Sequence, residues 1–257
     1  ALSQFEPILT EQRDQLKVRV YENREAMGKD AAEHAASKIR ELLGKQDKVR
    51  MVFAAAPSQN EFLEALTKAE GIDWSSITAF HMDEYIGLPA GAKERFSQFL
   101  KDAIFDKVNP GEVHLIGMNE STEEEIRRYT ELIQEAPIDI ICLGIGENGH
   151  IAFNDPPVAD FDDPEVIKPV ELDAVCRQQQ VNDGAFPTLD DVPTHALTLT
   201  IPTLMSGKHL YCMVPGPTKK EAVYKTLNGP ITTECPASIL RKHPDCTLYT
   251  DKEAYGM

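Results

Sequence analysis

Apolar residues occur along this chain in short continuous runs, separated by longer stretches in which apolar and polar positions alternate less regularly. Continuous runs of four to seven residues, bounded by turn residues, are typical of strands buried on both faces of a parallel sheet. The stretches between them repeat apolar residues every three or four positions, as amphipathic helices do. The predicted strands lie at residues 18–21, 50–55, 77–80, 138–143, 208–214 and 247–249.

Polar residues and glycine mark the ends of the first predicted helix. Asn23 can cap its start, because an asparagine side chain accepts a hydrogen bond from a backbone N–H of the first turn. Gly44 is predicted to end it in the left-handed conformation, which glycine adopts without strain. Further helices are predicted at residues 62–69, 96–104, 121–133, 217–227 and 236–241.

The alternation of strands and helices defines the expected fold class. It predicts an α/β fold with an open, mostly parallel, doubly wound (Rossmann-like) sheet and helices on both faces. No linker composition interrupts the chain, so residues 1–257 are expected to form a single domain. Residues 156–193 are polar, proline-rich and weakly periodic, which fits a lid over a binding site and a plain surface excursion equally well.

Charge and cysteine content exclude several classes of protein. The formal net charge is −16, with 42 acidic and 26 basic residues, so no basic face for nucleic acid is expected. No apolar run approaches the length of a membrane span, and the first residues do not resemble a secretion signal. The five cysteines form no C-x-x-C pair, so neither a zinc site nor a disulfide framework is suggested. A cytoplasmic protein is therefore expected.

Residues with catalytic potential cluster where predicted strands end, which is where open α/β sheets bind ligands. Asp83 and Glu84 follow one strand, although taken alone a helix cap and a solvated acid would account for them better. The glycine-rich segment 144–156 follows another strand and contains His150 and Asp155, which could couple if the chain turns between them. Its G-x-G-x-x-G spacing is also that of a dinucleotide site, but residues 154–157 interrupt the long helix that such a site requires.

Two other strand-to-helix junctions carry groups that suit a phosphate. Pro57 and Ser58 begin a predicted helix, whose backbone N–H groups can bind an anion. Lys219 follows the strand at 208–214 and could neutralise a phosphate as a compact charge. A solvated surface lysine is the alternative.

Two long motifs, in the same order and at similar spacing, resemble the glucosamine-6-phosphate deaminases. Residues 81–88 read H-M-D-E-Y-I-G-L and resemble that family's N-M-D-E-Y-x-G-L. Residues 144–156 read G-I-G-E-N-G-H-I-A-F-N-D-P and resemble its G-x-G-x-[DN]-G-H-I-[AG]-F-N-E-P. Residues 216–219 also resemble the family's phosphate-contacting G-x-x-K.

The resemblance implies a role for each matching residue. Asp83 would move a proton between C1 and C2 of the opened sugar, and His150 would assist ring opening with Asp155 as its partner. Asn148 stands where the family has Asp or Asn, and Lys219 would bind phosphate. The implied reaction isomerises and deaminates a hexosamine 6-phosphate without a metal or another cofactor, in a protein expected by analogy to be a homo-oligomer.

Departures from the family pattern concern the phosphate site and leave the substrate open. The family's T-G-x-T-P loop is replaced by A-A-P-S-Q at residues 55–59, so Ala55, Ala56, Pro57 and Ser58 are the candidate phosphate contacts. The family's lid arginine has no clear counterpart, since Gln180 falls near it and Arg177 lies close by; Glu84 is a further candidate for substrate contact. Alternatives are the galactosamine epimer, a 6-phosphogluconolactonase, whose usual motif continues after its G-H as x-A-S-x-F-P, and a sugar-phosphate sensor.

Overall fold

The computed structural model describes residues 5–117 and 121–257. In these ranges the strands are β1 (Leu9–Arg13), β2 (Leu16–Tyr21), β3 (Val49–Phe53), β4 (Ile77–His81), β5 (Asp83–Tyr85), β6 (Glu112–His114), β7 (Ile140–Leu143), β8 (Ile167–Glu171), β9 (His195–Leu199), β10 (His209–Val214) and β11 (Cys246–Asp251). The α-helices are α1 (Arg24–Leu43), α2 (Asn60–Lys68), α3 (Phe96–Leu100), α4 (Asp106–Val108), α5 (Thr122–Gln134), α6 (Ala174–Asn182), α7 (Ile201–Met205), α8 (Lys220–Asn228) and α9 (Lys252–Tyr255). A π-helical segment, Lys101–Phe105, joins α3 to α4, and short 3₁₀ turns include Pro57–Gln59, Pro217–Lys219 and Pro236–Lys242.

The large sheet has eight strands in the order β1-β2-β11-β10-β7-β3-β4-β6. All neighbouring pairs are parallel except β1 with β2, so the predicted fold class is confirmed. Strand β7 lies at the centre, with β3, β4 and β6 on one side and β10 and β11 on the other. The chain order therefore changes direction at β7, and open α/β sheets bind their ligands beyond the carboxyl ends of strands at such a switch point.

Helices cover both faces of this sheet, as the alternation along β3 shows. Met51 and Phe53 belong to the same buried cluster as Leu63 of α2. Val52, between them, belongs to the opposite cluster, together with Leu227 of α8. Successive side chains on a strand point to opposite faces, so the continuous apolar run predicted from sequence serves two cores at once.

A second sheet of three antiparallel strands, in the order β5-β9-β8, was not predicted. The chain passes into it directly from the large sheet, because β4 ends at His81 and β5 begins at Asp83. Met82 links the two sheets, since its N–H donates to Phe53 O and its carbonyl accepts from Leu199 N. This link places Asp83 beside the carboxyl ends of the parallel strands.

The structure tests the predicted ends of α1 and the contents of segment 156–193. Asn23 caps α1 as predicted, because its side chain accepts from Ala26 N. The left-handed conformation predicted for Gly44 is wrong: its φ is −76°, and its N–H still satisfies the last helical carbonyls from a right-handed conformation.

Segment 156–193 contains strand β8 and helix α6, and its action as a lid stays a prediction. In the described ranges no helix is both long and apolar enough to cross a bilayer.

His81, at the end of β4, stands where the family signature has asparagine. Its side chain is fully buried, and Nε2 accepts a hydrogen bond from Ile116 N at 2.8 Å. The neutral ring therefore carries its hydrogen on Nδ1, which has at most a weak interaction with the Asp83 backbone. Burial lowers the pKa of His81 to about 4, with smaller effects of the Glu84 and Arg95 charges that oppose each other.

The buried histidine should make stability depend on pH. An unfolded histidine has a pKa of about 6.5, so between that pH and about 4 the unfolded chain binds a proton that the folded chain excludes. Stability should therefore fall as pH decreases through this window, by about 1.4 kcal/mol per pH unit from this group. In His81→Asn that contribution should disappear from urea unfolding curves measured between pH 7 and 5. If the free energies of unfolding of the variant and the original chain depended on pH in the same way, His81 would not be the cause.

Candidate active site

Two adjoining hollows open beyond the carboxyl ends of β3, β7 and β10. The inner one, of about 60 Å³, is lined by Ala54, Ala55, Ala56, Ser58, Met82, Asp83, Phe96, Gly144, Ile145, Gly146, His150, Ala152, Phe153, Gln179, Gln180 and Lys219. The outer one, of about 250 Å³, shares Ala56, Ser58 and Lys219 with it and extends to Arg24, Asn182, Asp183 and Gly216. Neither reaches the roughly 300 Å³ of a usual small-molecule site, so a sugar phosphate would occupy both.

Asp83 begins β5 and lines the inner hollow with a buried carboxyl group. In the described part of the chain, no side-chain or backbone group donates a hydrogen bond to this carboxyl. Burial, followed by the nearby Glu84 charge, raises the pKa of Asp83 well above its usual range. A carboxyl group of this kind can both take and return a proton near neutral pH.

The segment after β7 folds back on itself so that His150 lies directly over Gly146. A Cβ atom on Gly146 would come within 1.8 Å of His150 Cε1, so only glycine leaves room for the imidazole. Gly146 N donates to His150 O at 2.8 Å, and Gly149 completes the turn with a φ of 84°. Gly146 is therefore required by its contact with His150, and Gly149 by its positive φ. These two requirements explain the glycines of this part of the motif.

His150 is held in one tautomer by two oxygen atoms. Its Nδ1 lies 2.5 Å from Asn148 Oδ1 and 3.3 Å from Asp155 Oδ1. Because an amide oxygen and a carboxylate oxygen only accept, Nδ1 must carry the hydrogen, which leaves Nε2 unprotonated. Burial, with a further contribution from the Lys219 charge, lowers the pKa of His150 to about 3, so the ring is neutral.

Asn148 is oriented by groups on both sides of its amide. Its Nδ2 donates to Asp155 Oδ1 at 3.3 Å and to Asp173 Oδ2 at 3.1 Å, while its Oδ1 accepts from His150 N at 3.0 Å. Asp155 is completely buried and also accepts from Asp173 N at 3.1 Å; burial raises the pKa of Asp155 to about 6. Asp173, just before α6, therefore helps to fix the amide that fixes His150.

Lys219 is the buried cation of the site. Its Nζ donates to Ile145 O at 2.6 Å and stands between the two hollows. Burial lowers the pKa of Lys219, and the charges of Asp183 and Glu147 partly oppose that effect. Ser58 lines both hollows beside it, in the 3₁₀ turn that leads into α2.

Two residues expected from the sequence to contact substrate point elsewhere. The Glu84 carboxylate accepts hydrogen bonds from Phe96 N at 2.9 Å and Ser97 N at 3.0 Å, so it binds the first turn of α3. The Arg177 guanidinium donates to Leu189 O at 2.9 Å and so supports the loop after α6. Neither belongs to the described residues that line the hollows, and their contact with substrate stays a prediction.

Helix α6 supplies site residues beyond those expected from the sequence. Gln179 lines the inner hollow beside Gln180, which stands near the position of the family's lid arginine, and Gln179 Oε1 accepts from Glu147 N at 2.7 Å. Cys176, one turn earlier, is buried, and its Sγ lies within 4.8 Å of a carboxylate oxygen of Asp155. The spacing of three and four residues from Cys176 to Gln179 and Gln180 places all three on one helical face, and this could have been read from the sequence. Because glutamine is polar, however, nothing in the sequence indicated that this face is buried.

Size alone would have selected a different site. A much larger hollow, of about 1290 Å³, is a groove between α1 and α2 lined mainly by charged residues. Many of these form exposed ion pairs, such as Arg24 with Glu61 at 2.7 Å. Pairs of this kind contribute little energy, and the lowered pKa of Glu25, which its hydrogen bond to Lys29 causes, belongs to an exposed carboxylate. Buried groups with shifted pKa values lie at the strand ends, where we place the chemistry.

Comparison with known sequences now defines the class of protein. The family described as Glucosamine-6-phosphate isomerases/6-phosphogluconolactonase matches residues 22–249, and this chain belongs to it. More particularly, it is 36% identical to a glucosamine-6-phosphate deaminase of Shouchella clausii over 232 residues, which are 88% of this chain and 92% of the relative. It is 38% identical to a glucosamine-6-phosphate deaminase of Bacillus cereus over 187 residues, 72% of this chain and 70% of the relative.

Solved structures agree with this assignment. A monomeric glucosamine-6-phosphate deaminase superposes with a TM-score of 0.85 at 30% identity, covering 93% of this chain and 98% of the other. A 6-phosphogluconolactonase from Thermotoga maritima superposes with a TM-score of 0.75 at 18% identity, covering 92% and 100%. The second likeness shows the shared fold alone. The family resemblance expected from the two motifs is thus confirmed.

Replacement of Gly146 by alanine should reduce activity without unfolding the protein. The added Cβ would overlap the His150 ring, and displacement of a reacting group by about 1 Å can cost about 100-fold in rate. We expect Gly146→Ala to reduce ammonia release from hexosamine phosphate by at least that factor while the circular dichroism spectrum is retained. Gly44→Ala, at a remote helix end with a right-handed φ, is the control and should keep full activity. Equal activities would show that the ring can move without consequence.

Proposed function

We propose that this chain isomerises and deaminates a hexosamine 6-phosphate, with glucosamine 6-phosphate as the first candidate substrate and fructose 6-phosphate and ammonia as products. One observation carries the proposal: the buried carboxyl of Asp83 and the imidazole of His150, with its unprotonated Nε2, line the same hollow. The glucosamine-6-phosphate deaminases to which the chain is similar support the choice of substrate.

Ring opening would be the task of His150. Its Nε2 accepts the proton of the C1 hydroxyl group and returns it to the ring oxygen, so that the sugar opens to the aldehyde. Asn148 and Asp155 keep the hydrogen on Nδ1 and hold the ring in position throughout. Asp155 thereby supports the imidazolium that forms for a moment.

Isomerisation would be the task of Asp83. Its carboxylate takes the proton from C2 of the open sugar while a proton of the C2 ammonium group passes to O1, which gives an enol amine. The Asp83 acid then delivers its proton to C1, and C2 becomes an iminium carbon. Water adds to C2 and ammonia leaves, so one water is consumed for each ammonia released. A carboxyl whose pKa is raised by burial suits both halves of this transfer.

Phosphate would lie at the boundary of the two hollows. Lys219 Nζ supplies the charge, and Ser58, in the turn Pro57–Gln59 before α2, supplies its backbone N–H and its hydroxyl group. A phosphate dianion favours the charged form of the lysine, which offsets the cost of burying it. Ala55 and Ala56 line the hollow without adding a polar side chain, so this site depends more on Lys219 than a loop with two threonines would.

The proposal includes the wider setting of the site. We expect a single domain over residues 1–257, with segment 156–193 acting as a lid because its Gln179, Gln180, Asn182 and Asp183 line the two hollows. A cytoplasmic location and the absence of nucleic-acid partners fit the acidic chain. Homo-oligomerisation stays a prediction, which light scattering can decide; a similar solved deaminase is described as monomeric.

Asp83→Asn should abolish turnover and stabilise the fold. The amide cannot exchange a proton with carbon, so ammonia release from glucosamine 6-phosphate should fall by at least about 1,000-fold, within the range for general acid–base groups. The same change removes an unpaired buried charge, so the free energy of unfolding at pH 8 should rise by about 1–3 kcal/mol. Urea unfolding and an enzymatic ammonia assay measure the two effects. Retained activity, or a fall in stability, would contradict this role.

The same assay decides among the alternatives. Turnover of galactosamine 6-phosphate in preference to the gluco epimer would change the substrate and keep the mechanism. Hydrolysis of 6-phosphogluconolactone without ammonia release from either sugar would favour the lactonase. Binding of these sugars, seen by thermal shift, without any turnover would favour a sensor.

Lys219→Met should weaken substrate binding more than it slows the chemistry. A hydrogen bond to a charged group contributes about 1.5–3 kcal/mol, so KM should rise by about 10- to 100-fold. Lys219→Arg is the matched variant: it keeps the charge but replaces a compact, buried ammonium group with a larger planar guanidinium, so it should recover only part of the affinity. An unchanged KM in Lys219→Met would place the phosphate elsewhere.

A further inference from the structure

One face of His150 meets a group of potential metal ligands that the proposed reaction does not use together. A ring nitrogen of His150, a carboxylate oxygen of Asp155 and Cys176 Sγ all lie within 4.8 Å of one another. All three residues are buried. His150 and Asp155 come from the segment after β7 and Cys176 comes from α6, so the group joins two elements.

The distances suit a tetrahedral zinc ion. Zinc binds nitrogen and oxygen at about 2.0–2.2 Å, which separates two such ligands by about 3.3 Å in a tetrahedron. His150 Nδ1 and Asp155 Oδ1 are 3.3 Å apart. A thiolate at about 2.3 Å from zinc would lie about 3.5 Å from each of them, within reach of a rotation of the Cys176 side chain. We propose that His150, Asp155 and Cys176 bind a thiophilic divalent cation of the zinc class, and that this cation inhibits the enzyme.

The donor set selects the class of metal. Imidazole and thiolate are preferred by zinc and similar transition metals, whereas magnesium and calcium prefer oxygen ligands alone. Asn148 Oδ1, 2.5 Å from His150 Nδ1, is too close to serve as a second tetrahedral ligand without moving, so a water molecule would take the fourth position. Buried ligands on two elements raise selectivity, because they permit few other arrangements.

Inhibition follows from the nitrogen that the cation would occupy. Asn148 and Asp155 orient the imidazole through Nδ1, and a cation bound there replaces both contacts. A cation on Nδ1 uses the lone pair of that nitrogen, so the ring hydrogen moves to Nε2, which then cannot accept the sugar proton. This part of the inference rests on the proposed function, whereas the binding of the cation does not.

Binding is tested on the full chain after treatment with a chelator. We expect calorimetry to show one zinc ion per chain, and cobalt to give the near-ultraviolet absorption of a thiolate complex. Cys176→Ala should weaken zinc by at least about tenfold, since even partners outside the coordination sphere change affinity by 10–100-fold. Cys142→Ala, which removes another buried thiol, is the matched control and should bind normally. Cys176→Ser serves if the alanine variant does not fold.

Activity supplies the second readout. Zinc should inhibit ammonia release by the original chain and by Cys142→Ala, and magnesium should not. Whatever the zinc-free rate of Cys176→Ala, zinc should reduce that rate far less than it reduces the rate of the original chain. Absence of zinc binding, equal binding by Cys176→Ala, or binding without inhibition would each overturn the inference. A chain that binds zinc through Cys176 but releases no ammonia in its absence would instead refute the proposed function.

Discussion

The buried carboxylate of Asp155 holds the candidate site together. It has no exposure to water, and it accepts hydrogen bonds from Asn148 Nδ2 and Asp173 N. A buried charge without such partners costs several kcal/mol, so the segment after β7 and the start of α6 must remain together. The orientation of His150 therefore depends on a helix more than twenty residues further along the chain.

Much of the large sheet could be predicted because its strands are buried on both faces. A short continuous apolar run such as that of β7 fits a central parallel strand directly, and the cap at Asn23 has a local cause. The small sheet could not be predicted in the same way. Its strands β5 and β8 are short and polar, and β8 contains Pro169, which argues against a strand unless tertiary contacts decide.

The residue types of the candidate site could be predicted from the motifs. Which neighbouring side chain points into the hollow could not. Asp83 and Glu84 are adjacent on β5, and successive side chains of a strand point to opposite sides, so both could not reach the same hollow. On α6, Arg177 follows Cys176 by one position, about 100° around the helix, and so faces the loop at Leu189. A motif identifies residue types, but the period of the element determines which of them reach the ligand.

Charge connects the two ends of the site. Burial already disfavours protonation of His150, and the charge of Lys219 disfavours it further. The lysine that would bind phosphate thus also helps to keep the imidazole neutral and able to accept a proton. Burial in turn lowers the pKa of Lys219, and the charges of Asp183 and Glu147 oppose that shift. The acidic residues around the outer hollow, which on their own would repel a phosphate, therefore maintain the cation that would bind it.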